Sequence, residues 1–443
     1  MPRRLFYFNL MAKSVETSDV VDLQRWHGRP LRLTVLAVLS LGILAGCGGR
    51  PDGVMIPVAE TVPGASIVNM VVATVRKHTD GPDVFTGERS LTPNFAEVDV
   101  SIPPAANRKV GDVQWPKSVP GNPATDFVTL KLDVIDQPQA VQWFNRRIKN
   151  TPGRQAMVFV HGYNQRFDDA VFRFAQIIHD SGADVTPVLF TWPSRGSLLA
   201  YGYDRESTSF SRDSLERLLT FMAKDPGVKE ITVLAHSMGN VVTLEALRQM
   251  AIRNGQILPK IRNVILAAPD VDVDVFATFF NEIGKQRPNF TVFVSQDDKA
   301  LAVSKRVWGN VPRVGQVDPE TEPYRSEFER NKVNVIDLTK LKSDDPLNHG
   351  KFASSPEVVQ SIGARLAEGQ TLTDSRVGVG ERIVQLTSDV ASTAGTAAGL
   401  VIAAPVAVVD ANTRERYRDH VGHLGDSVSD TASAGTQVVT PGR

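Results

Sequence analysis

Cysteine, net charge and long apolar runs are all scarce in this chain, and each shortage closes off a class of protein. Cys47 is the only cysteine among 443 residues, so no intramolecular disulfide can form and no cysteine cluster can hold a metal. The 49 basic and 49 acidic side chains cancel. With no Lys/Arg-rich stripe along the chain, the electrostatic footprint of a nucleic-acid binder is missing. No internal repeat with a period of roughly 20–50 residues recurs. The clearest apolar run, residues 33–45, is uncharged and follows Arg29 and Arg32. It is shorter than the ~20 residues a membrane span needs and suits the h-region of a signal peptide. What remains is 42% hydrophobic and 22% charged, a composition that supports one large core with appendages or two modest domains.

After the apolar run comes Leu44-Ala45-Gly46-Cys47, which resembles a bacterial lipobox. That resemblance implies that residues 1–46 are removed as a signal peptide and that Cys47 is lipidated. The protein would then be a membrane-anchored lipoprotein of the cell envelope, facing the periplasm or the exterior; an uncleaved anchor helix is the alternative. Residues 47–90 are rich in Gly, Pro, Thr and Val without sustained periodicity and read as a tether. Alternation of apolar and polar residues predicts antiparallel strands at 95–102 and 126–134, followed by an amphipathic helix at 139–149. The chain then takes on an α/β rhythm. Continuous Val/Ile/Leu/Phe runs predict strands at 156–160, 187–192, 231–235, 263–267, 290–295 and 333–338, with helices at 168–179, 211–223 and 240–253 between them. Such runs belong in a mostly parallel sheet covered on both faces. Residues 309–331 read as a polar loop. From 366 to 443 the chain is an Ala/Gly/Ser-rich tail, either a loose helix on the body or a membrane-contacting segment.

The most informative residue is Ser237, in Ile231-Thr232-Val233-Leu234-Ala235-His236-Ser237-Met238-Gly239-Asn240. A β-like run that breaks at a serine flanked by small residues has the shape of a nucleophile elbow. There the serine backbone is strained, and the positions two before and two after, Ala235 and Gly239, must be small. A serine needs a histidine base and an acid to attack a carbonyl at neutral pH. In the chain order serine, acid, histidine, five histidines precede or adjoin the serine and three remain: His349, His420 and His423. His349 follows the last predicted strand, whereas the other two sit in the tail. The strand at 290–295 runs into Gln296-Asp297-Asp298. Asp298 lies deeper in that loop and is the first choice of acid, with Asp297 as an alternative. Asp270, Asp272 and Asp274, after the preceding strand, also compete, and their alternation invites a metal reading; an N-cap for a helix beginning near Val275 is preferred over it. The oxyanion hole calls for two backbone N–H groups. Met238 would supply one, and Tyr163 in His161-Gly162-Tyr163-Asn164 the other, with His161 ordering the loop.

Those motifs, together with Phe190-Thr191-Trp192-Pro193-Ser194-Arg195-Gly196, Tyr203-Asp204-Arg205-Glu206-Ser207, Ala268-Pro269-Asp270 and His349-Gly350, resemble a bacterial α/β-hydrolase family of unknown function, of serine esterase or lipase type. The resemblance spans roughly residues 90–365. It implies an α/β-hydrolase domain over 91–365 and a triad of Ser237, Asp298 and His349 that needs no metal or organic cofactor. The expected activity is cleavage of carboxylic esters, those of lipids or of small molecules, at a membrane reached through lipidated Cys47. A non-catalytic envelope lipoprotein built on the hydrolase scaffold and an acyltransferase are the alternatives.

Overall fold

The computed structural model describes residues 51–367, and the candidate signal peptide, Cys47 and the tail from 368 onward lie outside the described residues. In chain order the elements are β1 (Ser66–His78), β2 (Phe85–Ile102), β3 (Val128–Ile135), α1 (Gln137–Asn150), β4 (Gln155–Val160), α2 (Phe167–Ser181), β5 (Thr186–Thr191), α3 (Tyr201–Lys224), β6 (Glu230–His236), α4 (Gly239–Asn254), β7 (Ile261–Ala267), α5 (Val273–Glu282), β8 (Asn289–Val294), α6 (Lys299–Val307), α7 (Tyr324–Arg330), β9 (Val333–Asp337), α8 (Lys351–Ser354) and α9 (Pro356–Ala367). Nine strands form one sheet in the order β3-β2-β1-β5-β4-β6-β7-β8-β9. From β1 across to β9 neighbouring strands are parallel, and β2 and β3 add an antiparallel meander. This is the α/β-hydrolase architecture that the sequence predicts.

The central strands carry apolar residues on both faces because helices cover both faces. Val158, Val233, Val264 and Val292 point into one buried cluster with Leu215, Leu219 and Leu247. Phe159, Leu234, Ile265 and Phe293 point into the other with Phe172, Phe174 and Val359. Local chemistry sets where elements start. Asp136 and Gln139 form a reciprocal capping box on α1, whose first turn also holds Pro138.

Three expectations are corrected. Residues 66–90, read as part of a tether, form β1 and the start of β2, and β1 enters the sheet's interior, with Val71 opposite Val188 and Thr74 opposite Thr191. Upstream of it Val54 and Met55 are buried, and Thr129 donates its hydroxyl to the Val54 carbonyl. Buried on both faces, β1 lacks the alternation that marks a half-exposed strand. Helix α3 starts ten residues earlier than position 211, so Tyr203-Asp204-Arg205-Glu206-Ser207 lies in its first turns. The polar stretch 309–331 contains α7.

Candidate active site

The elbow is built by the end of β6 and the start of α4. Ser237 has φ +53°, a left-handed conformation unfavourable for a residue with a side chain. The fold holds it there on both sides. Its N–H donates to the Ala267 carbonyl at 2.9 Å, and its own carbonyl accepts from Asn240 N at 3.1 Å and Asn240 Nδ2 at 2.8 Å. Gly239 is small for a concrete reason: a Cβ there would lie 2.3 Å from the His161 carbonyl oxygen and 2.7 Å from that of Val160. Gly162 faces the same squeeze, since its Cβ would come within 2.9 Å of Ser237 Cβ. The His-Gly-Tyr-Asn loop is thereby pressed against the elbow, which brings Tyr163 and Met238 to one corner. Neither of their N–H groups donates to another backbone group among the described residues.

Of the candidate acids, one touches the histidine. Asp298 is fully buried, and its Oδ2 accepts from His349 Nδ1 at 2.6 Å while Oδ1 caps α6 by accepting from Leu301 N at 2.9 Å. Burial alone would lower the His349 pKa. The charge and hydrogen bond of Asp298, with Asp270 and Asp345 further off, outweigh it and hold the imidazole above its ordinary value. Asp297 turns away: it accepts from Lys351 Nζ at 2.8 and 3.0 Å, and from Asn348 Nδ2 at 2.9 Å. Asp270 is committed to Tyr201 Oη at 2.9 Å, Ser304 Oγ at 2.5 Å and Arg313. Asp272 caps α5, accepting from Asp274 N and Val275 N, as the N-cap reading has it.

His349 itself sits on a loop held at many points. Asp345 Oδ2 accepts from the N–H groups of His349 and Gly350, both at 2.7 Å. The buried Lys351 ammonium reaches the Leu338 and Thr339 carbonyls, both at 3.1 Å, as well as Asp297. His236, beside Ser237, donates from Nε2 to the His349 carbonyl at 3.2 Å and packs its ring 4.7 Å from the His349 ring. Burial, and next the neighbouring His349, push the His236 pKa well down, so this ring is a neutral donor. The hydrogen bond between Ser237 Oγ and His349 is not closed in this structure; such contacts often tighten only with substrate bound.

Opposite lies a buried arginine that the sequence reading passed over. Arg76, on β1, donates to His161 Nε2 at 3.2 Å, Ser194 O at 2.8 Å and Gln165 O at 2.8 Å. Burial lowers its pKa to about 10, with Asp204 the leading opposing charge. His161 donates from Nδ1 to the Gly162 carbonyl at 2.8 Å and stacks on Trp192 at 5.0 Å. Burial, then Arg76, drive its pKa far below the usual histidine range, so it orders the loop as a neutral ring. Asp204 pins the 193–196 loop, accepting from Ser194 Oγ at 2.5 Å and Arg195 N at 3.0 Å. The Arg195 guanidinium lies over Tyr203 and bonds Glu88. A charged residue inside a Val-rich run was the available signal for Arg76.

The chain belongs to the family described as alpha/beta hydrolase of unknown function (DUF900), which matches residues 136–365. An uncharacterized protein of Nostoc sp. (alr1448) is 27% identical over 152 residues, covering 28% of this chain and 39% of the relative. The chain thus spans about two fifths of that relative's length. Among solved structures, a lipase-esterase related protein from Clostridium acetobutylicum shares 14% identity over 48% of this chain and 94% of its own, with TM-score 0.27. Brefeldin A esterase, described as a bacterial homologue of human hormone sensitive lipase, shares 13% over 76% of this chain and 85% of its own, with TM-score 0.32. Similarities this low carry no inference about activity.

Proposed function

We propose that this member of the alpha/beta hydrolases is a serine hydrolase that cleaves carboxylic esters through an acyl-enzyme. The observation that carries the reading is the 2.6 Å contact of Asp298 with His349, on a loop tied to the residue next to the strained Ser237. With Nδ1–H engaged by Asp298, the imidazole presents Nε2 as the basic nitrogen. Ser237 Oγ attacks the ester carbonyl and gives its proton to His349. The developing oxyanion is met by the Met238 and Tyr163 N–H groups. His349 then protonates the departing alkoxide, leaving the acyl group on Ser237. A water molecule, deprotonated by His349, releases the acid. The mechanism calls on no metal or organic cofactor.

The site would be held at a membrane through lipidated Cys47 in the cell envelope, and Cys47→Ser should release the chain from the membrane fraction. For the chemistry, the test is labelling with a fluorophosphonate probe beside turnover of chromogenic esters of graded acyl length. Wild type should label and turn over, and Ser237→Ala should do neither. A folded wild type that does neither would favour the scaffold reading, whereas labelling with product only when an alcohol or amine acceptor is added would favour acyl transfer.

A further inference from the structure

Around the mouth of this site the protein leaves apolar side chains uncovered. Leu198 and Leu199, just before α3, are 53% and 98% exposed. Val303 and Val307 on α6 are 58% and 62% exposed, Trp308 at its end 43%, and Leu347, two residues before His349, 50%. The segments that carry them are linked to one another through Tyr163, Tyr201 and the start of α6. Tyr163 Oη donates to the Leu198 carbonyl; the Tyr163 and Tyr201 rings meet edge to face at 5.0 Å; Trp308 Nε1 donates to Tyr201 Oη at 2.8 Å; and Lys299 N donates to the Leu347 carbonyl at 2.9 Å. Apolar groups concentrated at one edge of a soluble surface mark an interaction site.

The charges in the band identify what covers it. Helix α6 reads Lys-Ala-Leu-Ala-Val-Ser-Lys-Arg-Val and has three cations and no carboxylate. Its inner side is fixed by Leu301 and by Ser304 on Asp270. Val303 and Val307, four residues apart, share the outer face, with Lys299 and Arg306 flanking them in the exposed class. Among the described residues, Lys299, Lys305 and Arg306 have no ion-pair partner. Arg205 adds a guanidinium 5.7 Å from the Trp308 ring. A short basic amphipathic helix ending in tryptophan has the pattern of an element lying in a lipid interface, where the cations meet anionic headgroups and the indole sits at their level. A second copy of the chain fits worse, because a twofold contact would set this cationic helix against itself.

We infer that the rim formed by residues 198–199, α6 with Trp308, and Leu347 docks on an anionic lipid surface and turns the mouth of the Ser237 site toward it. The docking stands without the hydrolase chemistry. Its consequence for substrate rests on the reading above: the preferred ester is an acyl lipid or other long-chain ester presented by the bilayer. The helix that meets the lipid is the one Asp298 caps, so entry from the membrane would lead directly to His349.

The test uses the full chain with vesicles of mixed phosphatidylglycerol and phosphatidylcholine, and with phosphatidylcholine alone, followed by hydrogen exchange. The mixed vesicles should protect 198–202, 299–308 and 345–348, and pure phosphatidylcholine should protect them less. The variant Leu199→Ser/Val303→Ser/Val307→Ser, altered only at exposed positions, should lose that protection, with association through this face weakened on the order of 100-fold. It should hydrolyse vesicle-borne long-chain ester roughly tenfold more slowly while keeping its rate on a soluble short-chain ester. A chain that binds vesicles with those segments unprotected overturns the inference, as does protection that grows with protein concentration in the absence of lipid. Lipid-dependent protection in a protein that labels with no fluorophosphonate would keep the docking and sink the hydrolase.

Discussion

Asp298→Asn is the substitution that isolates the orienting role most cleanly. The amide is nearly isosteric, and its carbonyl oxygen can keep the 2.9 Å bond to Leu301 N that caps α6, so the folded state should lose at most about 1 kcal/mol. The other end of the side chain changes in kind. Where the carboxylate accepted from His349 Nδ1 at 2.6 Å, the amide NH₂ donates, and His349 must turn its lone pair there and place its proton on Nε2. That nitrogen then cannot take the Ser237 proton. Loss of the correct tautomer in a serine triad costs about 10⁴ in kcat, or roughly 5 kcal/mol of transition-state stabilisation at 1.36 kcal/mol per decade. The assay is kcat on a short-chain chromogenic ester, with thermal unfolding alongside. Asp297→Asn and Asp270→Asn are the controls, since their carboxylates bond Lys351 and Tyr201 instead of His349. An Asp298→Asn enzyme within tenfold of wild type, beside an Asp297 or Asp270 variant that has lost activity, would refute the assignment of the acid.

Because Asp298 holds the His349 pKa above its ordinary value of 6.5, the proposed base stays protonated up to a higher pH than usual. The acid limb of kcat/KM for short esters should therefore fall above pH 6.5 and move downward in Asp298→Asn. The same shift makes the folded-state contribution of this pair complete below the unfolded histidine pKa, and it is lost as pH rises through the folded value. Denaturant titrations across that window read it directly. Lys351→Met removes a buried ammonium from two carbonyls and from Asp297, whose side chain is 40% exposed. Water can solvate that carboxylate, so the expected loss is about 2–3 kcal/mol, below the full value for a broken buried pair, with a larger fall in kcat than in KM as the His349 loop loosens.

The alternation of strands and helices from 155 onward was legible because each buried parallel strand is a continuous apolar run, and the elbow because steric demand fixes Ala235 and Gly239 around Ser237. Asp298 and His349 were legible from chain order, since both fall in loops after strands. Arg76 was not, because its meaning arises from a pairing 117 to 118 residues away in sequence, where Val71 to Thr74 meet Val188 to Thr191 and the guanidinium meets Ser194. Lys351 was likewise invisible: nothing local distinguishes a lysine that folds back under Asp297 from one in solvent. The helical start at Tyr201 was hidden by aromatic and charged residues that packing, not propensity, makes helical.

The residues that match the family begin at 136, yet β1, which lies next to β5 inside the sheet, is made of residues 66–78. A fragment cut to the recognisable region would keep Ser237, Asp298 and His349 and still be crippled. Strand β5 would present a bare edge from Val188 to Thr191, a template for self-association, and His161 would hang without the guanidinium that steadies it. The border of resemblance and the border of what must fold together differ here by some seventy residues, and an expression plan drawn from the former would yield an insoluble chain with the proposed triad in place.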